Sequence, residues 1–256
     1  MQSMGVVRVG CLALACVAGA AVAADTSLET VLAQASVTSA TTLGKQYNAV
    51  LYAGAGMDNT KAMINLCAAF DPPEDMDGLV VSGVVYPGGV VRHARVMPDT
   101  PFARCVARRF VSQSFPPLPV SAPSFAMALL IDVATGHASD PFTSFTQKGS
   151  REAITKASAP LYAPRPVYPK TAVTDRATGK TMVLIVFGNL GTPTDVKLET
   201  SSGDPRLDSA ALDAARHWVF RPTLGRRLSV RVPITFALQT DCGTDCTRSW
   251  TPADDQ

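Results

Sequence analysis

The feature that most constrains this chain is a pattern that occurs twice in the same order. Each copy has a glycine, an apolar run, a tight turn, a returning strand, a proline-started helix and a final alternating strand. In the first copy Gly78 opens the run Leu79 to Tyr86, Pro87-Gly88-Gly89 supplies the turn, and Val90 to Met97 returns. In the second, Gly179 leads into the apolar run Met182 to Phe187, and Gly188-Asn189 turns. Thr194, Val196, Leu198 and Thr200 then alternate with Asp195, Lys197 and Glu199. Each reads as a hairpin in which one strand is apolar on both faces and its neighbour is wet on one.

Each hairpin runs into a helix. Asp204 stands as N-cap with Pro205 at the first helical position, and Leu207, Ala211, Ala214 and Trp218 fall on one face. Asp99 is the corresponding cap in the first copy, with Pro101 in the first turn and Phe102, Val106 and Phe110 at four-residue spacing. Both helices lead to a Phe-Pro signal, Phe115-Pro116 and Phe220-Arg221-Pro222. Final strands follow through Phe125, Met127, Leu129, Ile131 and Val133, and through Val230, Val232, Ile234, Phe236 and Leu238. Two copies of one strand-strand-helix-strand unit is the economical reading. The expected fold is α+β, with two small domains, each a three-stranded antiparallel sheet packed against helices.

The rest of the chain is arranged around these units. Residues 1–23 carry one charge, Arg8, and an apolar run from Cys11 to Ala23 ending in Ala21-Val22-Ala23, as a secretory signal peptide does. The run is shorter than the roughly 20 residues that a membrane span needs, so cleavage is favoured and a retained inner-membrane anchor is the alternative. Cys16 as a lipid acceptor is disfavoured, because Ala13-Leu14-Ala15 lacks a large aliphatic residue three positions upstream. Residues 24–57 read as a short helix near Leu28 to Ala35 followed by a loop. Residues 58–135 hold the first unit, opening with a helix from Asp58 to Phe70 on Ala62, Met63, Leu66, Ala69 and Phe70 and stopped by Asp71-Pro72-Pro73. Residues 136–163 form a polar linker, residues 164–240 the second unit with a short helix over Lys170 to Ala177, and residues 241–256 a tail.

Loss of the signal peptide leaves a net charge of +1, so nothing steers the protein towards nucleic acid or anionic lipid. Four cysteines remain, an even number in an exported chain, which suggests disulfides. Cys242 and Cys246 form the local pair, leaving Cys67 with Cys105. The competing reading is a zinc site, for which His93, His137 and His217 show no paired spacing.

A catalytic centre needs a nucleophile, base or metal in mutual geometry, and the sequence offers weak material. His217 ends a helix, where a cation meets the dipole, and His93 lies beside Arg92 and Arg95 on a solvated face. Ser201-Ser202-Gly203 lacks the preceding glycine of a nucleophile elbow and reads as a helix-capping turn. Gly188, Gly191 and Gly203 are too scattered for a phosphate loop, and Trp218 and Phe220 read as core. Arg221, Arg226 and Arg227, with Arg231, form a basic cluster that is either a solvated loop or a patch for an acidic peptide or wall polymer. No cofactor and no enzymatic role are expected.

The order Tyr168-Pro169, Gly179, Gly191, Ser201-Ser202-Gly203, Leu207-Asp208, Trp218-Val219-Phe220-Arg221-Pro222 and Val232-Pro233-Ile234 resembles the C-terminal domain of TonB-family proteins. The likeness covers Pro164 to Leu238 and, more loosely, Leu66 to Val133. That earlier stretch is similar to cysteine-containing relatives that pair a Cys before the first strand with a Cys in the helix, as Cys67 and Cys105 stand here. The resemblance implies a periplasmic binding module that takes up an extended segment of an outer-membrane receptor, or another envelope protein, by strand addition. The last strand, Leu228 to Leu238, is then the receiving edge, with Ser229, Arg231, Thr235 and Gln239 pointing away from the core and Pro233 marking an edge position. A full energy transducer of that family keeps an N-terminal membrane helix and a long Pro-rich spacer. This sequence shows neither, so the expectation is an accessory to TonB-dependent transport. The alternative is a structural or scaffolding envelope protein, and a homodimer through paired edges is left open.

Overall fold

The structure, a computed structural model, describes residues 27–53, 60–113, 115–118, 122, 124–142, 158–223, 225–238 and 251–252. The signal segment, Gln239, Cys242 and Cys246 lie outside the described residues.

The chain opens with three helices, α1 (Leu28–Ala40), α2 (Thr42–Ala53) and α3 (Thr60–Ala68). Ser27 caps α1 by accepting from the Thr30 N–H. The loop expected after the first helix is instead α2. Leu43, Tyr47 and Leu51 recur every four residues along it and pack into the core, and the Tyr47 hydroxyl donates to the Pro116 carbonyl at 2.7 Å. In α3 the expected face is also corrected. Leu66 and Phe70 are exposed, while Thr60, Met63, Ile64 and Cys67 are buried at the i, i+3, i+4, i+7 spacing. Two apolar stripes compete on this short helix, and the one carrying Cys67 wins because the Cys67–Cys105 disulfide draws it inward.

The first sheet contains β1 (Gly78–Tyr86), β2 (Val90–Met97), β3 (Phe125–Asp132) and β4 (Ala138–Ser139), antiparallel throughout in the order β2-β1-β3-β4. It is therefore four-stranded rather than three-stranded. Helix α4 (Pro101–Val111) joins β2 to β3, and its cap is Thr100, whose side chain accepts from the Ala103 N–H, not Asp99. Asp99 instead pairs with Arg104 at 2.8 Å. Both faces of this sheet are sealed. Leu79, Val81, Met127 and Leu129 pack with α2, α3 and α4, whereas Val80, Ala126, Ala128 and Leu130 meet Leu32 and Ala35 of α1. That is why β1 and β3 are apolar at nearly every position.

The stretch read as a linker carries β4 and then β5 (Pro160–Tyr162). β5 pairs with β8 (Val219–Phe220) of the second half, and the Asp77 N–H donates to the Leu161 carbonyl and the Ala163 N–H to the Asp75 carbonyl, both at 2.9 Å. After the short helix α5 (Lys170–Thr174), the second sheet forms from β6 (Gly179–Phe187), β7 (Pro193–Thr200), β9 (Leu228–Phe236) and β10 (Thr251–Pro252), in the order β10-β9-β6-β7. Helix α6 (Pro205–Ala215) joins β7 to β9 and covers one face. Here too the fold is α+β with antiparallel sheets, and here too a two-residue strand is added beyond the last long one.

Candidate docking edge on the second sheet

The edge is held from behind by an apolar core. Val183, Ile185 and Phe187 of β6, Leu207 and Ala211 of α6, and Val230, Val232 and Ile234 of β9 are all buried. Phe187 and Phe220 stack with ring centres 4.0 Å apart, and Tyr168 meets Phe236 edge-on at 5.4 Å. The Trp218 indole, also buried, donates to the Pro164 carbonyl at 3.3 Å.

The turn from β7 into α6 is organised by one buried carboxylate. Asp208 Oδ1 accepts from the Ser202 N–H and hydroxyl, both at 2.8 Å, and from the Thr181 hydroxyl at 3.1 Å, while Oδ2 accepts from the Ser201 hydroxyl. Burial alone would push the Asp208 carboxyl up. The Ser201 hydroxyl, the Ser202 N–H and hydroxyl and the Thr181 hydroxyl together hold it below the usual carboxylate range. Ser201-Ser202-Gly203 is thus a turn tied to α6 through Asp208. Asp204 caps α6 through the Arg206 N–H at 2.8 Å, and its carboxyl is held down to about 2 by the Arg206 guanidinium, which also reaches Asp175 after α5.

Because the folded Asp208 carboxyl titrates lower than its unfolded counterpart, it adds stability above the unfolded value near 4. That contribution is lost as pH falls through the depressed folded value. Asp208→Asn is expected to cost about 1–3 kcal/mol at neutral pH, since four donors lose their charged acceptor. The gap to the parent, read from urea unfolding, should narrow below about pH 4; a gap that stays constant from pH 7 to pH 3 would contradict the assignment.

On the edge itself, β9 pairs with β6 over nine consecutive positions, from Gly179↔Phe236 to Phe187↔Leu228, with no register shift. Its alternating pattern is as expected: even-numbered residues from Leu228 to Phe236 are buried, Ser229, Arg231 and Pro233 are half-exposed and Thr235 is exposed. Pro233 lies opposite Met182. A proline keeps this register without losing a ladder bond only if its nitrogen faces away from β6. Ser229, Arg231 and Thr235 share that parity, so their N–H and C=O groups turn to the outer side.

The outer side is not wholly bare. Thr251 pairs with Arg231 and Pro252 with Val230, which corrects the expectation of a last strand open along its whole length. Arg231 also reaches across the exposed face to Glu199, Nε to Oε2 at 2.9 Å. The basic cluster divides. Arg226 and Arg227 are exposed just ahead of β9, but Arg221 is half-buried and lines a separate cleft of about 390 Å³ with Asp77, Asp132, His137 and Asp140. A larger and more apolar groove of about 710 Å³, lined among others by Pro98, Tyr162, Pro164, Val167, Ala210 and His217, lies between α6 and the approach to β2's far end. Sequence reasoning did not anticipate either cleft, because each collects residues from both halves of the chain.

The outer strands at the opposite ends of the two sheets, β2 and β7, are differently made. The β1–β2 register breaks between Ser82 and Val84, and His93 takes a positive φ of 56° beside Arg92 and Arg95. β7 breaks register with β6 twice. Bulges and charges of this kind blunt the β2 and β7 edges against pairing. β3 keeps as regular a register on β1 as β9 does on β6 and is likewise paired with a two-residue strand, but α1 lies across the otherwise exposed face of its sheet. His217 Nδ1 lies 2.8 Å from the Asp213 carbonyl at the end of α6. Among the described residues, no three His, Cys, Asp or Glu side chains gather as metal ligands would, and no helix is long and apolar enough to cross a membrane.

A family model described as the Gram-negative bacterial TonB protein C-terminal matches residues 164–238. The protein TonB of Xanthomonas campestris pv. campestris strain B100 is 38% identical over 77 residues, which cover 28% of this chain and 34% of that protein. The TonB of strain ATCC 33913 of the same pathovar matches to the same extent. The chain thus spans about a third of the length of these curated relatives. A solution NMR structure of the Pseudomonas aeruginosa TonB C-terminal domain shares 24% identity, covering 32% of this chain and 86% of that one, with a TM-score of 0.28.

Proposed function

We propose, from the membership of residues 164–238 in the TonB C-terminal family, that this is a periplasmic protein-binding module associated with TonB-dependent transport across the outer membrane. It acts without catalysis, by accepting an extended segment of an outer-membrane receptor, or of another envelope protein, along β9. The observation that carries this reading is the unbroken nine-residue register of β9 on β6, of which, among the described residues, only Val230 and Arg231 are paired on the outer side. Main-chain groups supply affinity in strand addition, and flanking side chains supply selectivity. Ser229, Arg231 and Thr235 fill that second role here, with Arg226 and Arg227 favouring an acidic partner.

The first half fits a second, divergent copy of the same unit. Its strand order β2-β1-β3-β4 follows the chain order of β7-β6-β9-β10. The turn glycines also match, since Phe115 donates its N–H to the Gly89 carbonyl at 3.4 Å and Phe220 donates to Gly191 at 2.8 Å. With α1 across one face, so that its sheet is buried on both sides, this copy serves as support rather than as a second receiver.

Tagged protein used as bait in a detergent-solubilised envelope extract is expected to retain an outer-membrane transporter or another envelope protein. Arg231→Glu should weaken that capture at least tenfold while leaving the fold intact, because a partly exposed ion pair contributes only about 0–1 kcal/mol. The charge-swapped pair Glu199→Arg with Arg231→Glu restores the internal contact and should still fail to capture. Retention unchanged by either variant would remove the Arg231 side chain from the site.

A further inference from the structure

We infer that the face of the second sheet turned away from α6 is a separate docking site, and that it takes an acidic amphipathic helix of another protein. This does not depend on strand uptake at β9, because it concerns side chains on a sheet face rather than main chain on an edge. β6 is apolar on both faces, yet α6 covers only one of them. Val183, Ile185 and Phe187 are buried in the core beneath α6. Met182, Leu184 and Val186 alternate with them, stay half-exposed and join no part of that core. An antiparallel sheet with one solvated face ordinarily carries polar residues there.

The first sheet shows how a face of this kind is covered. On β1 and β3 its pairs are Val80↔Leu130, Ser82↔Ala128 and Val84↔Ala126; on β6 and β9 the corresponding pairs are Met182↔Pro233, Leu184↔Arg231 and Val186↔Ser229. The two sets stand at the same distance in sequence from the turn glycines Gly89 and Gly191. In the first sheet all six residues are buried. Leu32 and Ala35 of α1 pack on Val80, Ala126, Ala128 and Leu130, and the Thr38 hydroxyl donates to the Ala126 carbonyl at 2.7 Å. Among the described residues, no helix takes that place on the second sheet.

Dimensions and charge define the occupant. Met182 to Val186 runs about 13 Å along β6, or two to three helical turns, and the flanking strands make the strip about 10 Å wide, close to one helix diameter. The rim is basic. Lys180, Lys197 and Arg231 share this face by register, and Arg227 lies near enough to act on Asp195. These cations outnumber the carboxylates beside them, Asp195 and Glu199, which pair with Lys197 and Arg231. Arg231 stands on β9 and Glu199 on β7, so their ion pair crosses over β6 beside Leu184. A glutamate on the flank of an incoming helix can take Arg231 over from Glu199, while the apolar stripe of the helix covers the strip.

The test uses the full chain. The probe is a fluorescein-labelled amphipathic peptide about three turns long, with leucine at i, i+3, i+4 and i+7, glutamate on its flanks and a lactam bridge that holds it helical. Its anisotropy should rise on titration with the protein, and the pair Leu184→Lys with Val186→Lys should weaken binding at least tenfold. In the parent, the methyl resonances of Met182, Leu184 and Val186 should shift on adding peptide while those of Val183 and Ile185 hold, a readout that needs no variant. A peptide of the same composition with its leucines scattered should bind at least tenfold more weakly. Equal affinity for the scattered peptide, or unmoved methyl resonances at all three residues, overturns the inference. A parent that sediments as a dimer and is dissociated by Leu184→Lys also overturns it, by giving the face to a second copy of this chain.

Discussion

Gly191→Ala is expected to lower stability by about 2–5 kcal/mol, combining a left-handed backbone cost of roughly 1–2 kcal/mol with overpacking of about 1–3 kcal/mol. Gly191 has φ +67°, and an added Cβ would lie 2.1 Å from the Phe220 carbonyl oxygen. The displaced group is backbone, and Phe220 is bonded to Gly191 through its N–H and stacked on Phe187, so it has little room to give. Gly89→Ala should behave alike, since Gly89 has φ +79° and its Cβ would lie 2.0 Å from the Phe115 carbonyl oxygen. Gly203 is the control: its φ is +93°, but nothing lies within 4 Å of an added Cβ, so Gly203→Ala should show strain alone. Urea unfolding of the three variants decides the matter. If Gly191→Ala costs no more than Gly203→Ala, the close approach of the turn to Phe220 is wrong. If Gly89→Ala and Gly191→Ala differ widely, the likeness of the two units is wrong.

Removing the Cys67–Cys105 bond is the second large effect. The bond joins α3 to α4 across a sequence separation of 38, for which loop-closure entropy amounts to about 4 kcal/mol. Cys67 is fully buried and Cys105 packs against the same core, so serine at either position adds a hydroxyl among apolar neighbours. The pair Cys67→Ser with Cys105→Ser is expected to lose about 2–4 kcal/mol in urea unfolding under oxidising conditions. Reductant should lower the parent by a similar amount and leave the double variant unchanged. A parent indifferent to reductant would show that the bond does not staple α3 to the first sheet.

Much of this fold was legible because its signals are local and periodic. Gly-rich turns set both hairpins, Asp204 and Pro205 start α6, and period-two alternation marks β9 with its core face correctly assigned. What was missed depends on partners distant in sequence. The Leu43, Tyr47, Leu51 stripe of α2 becomes meaningful only against Pro116 and Phe125, and α3 shows two apolar faces until the disulfide selects one. Strands of two residues, such as β4 and β10, carry no periodicity, so the partial covering of β9 could not be read from composition. Arg221 was grouped with Arg226 and Arg227 by proximity in number. Pro222 and the turn that follows separate them, placing Arg221 against the Asp132 side of the molecule, where burial lowers its affinity for a proton and the Asp132 charge opposes that. The candidate site was therefore half legible: its strand and outward residues were in the pattern, and its pairing with β10 was not.

The central claim is that β9 receives a foreign strand, and amide exchange resolved by residue over 228–236 tests it most directly. The measurement is made with and without the envelope segment recovered by the bait experiment. Protection gained at Ser229, Arg231 and Thr235, the outward-facing amides, is the predicted result. Protection confined to β7 or to the groove beside Val167, with these three amides unchanged, would contradict it.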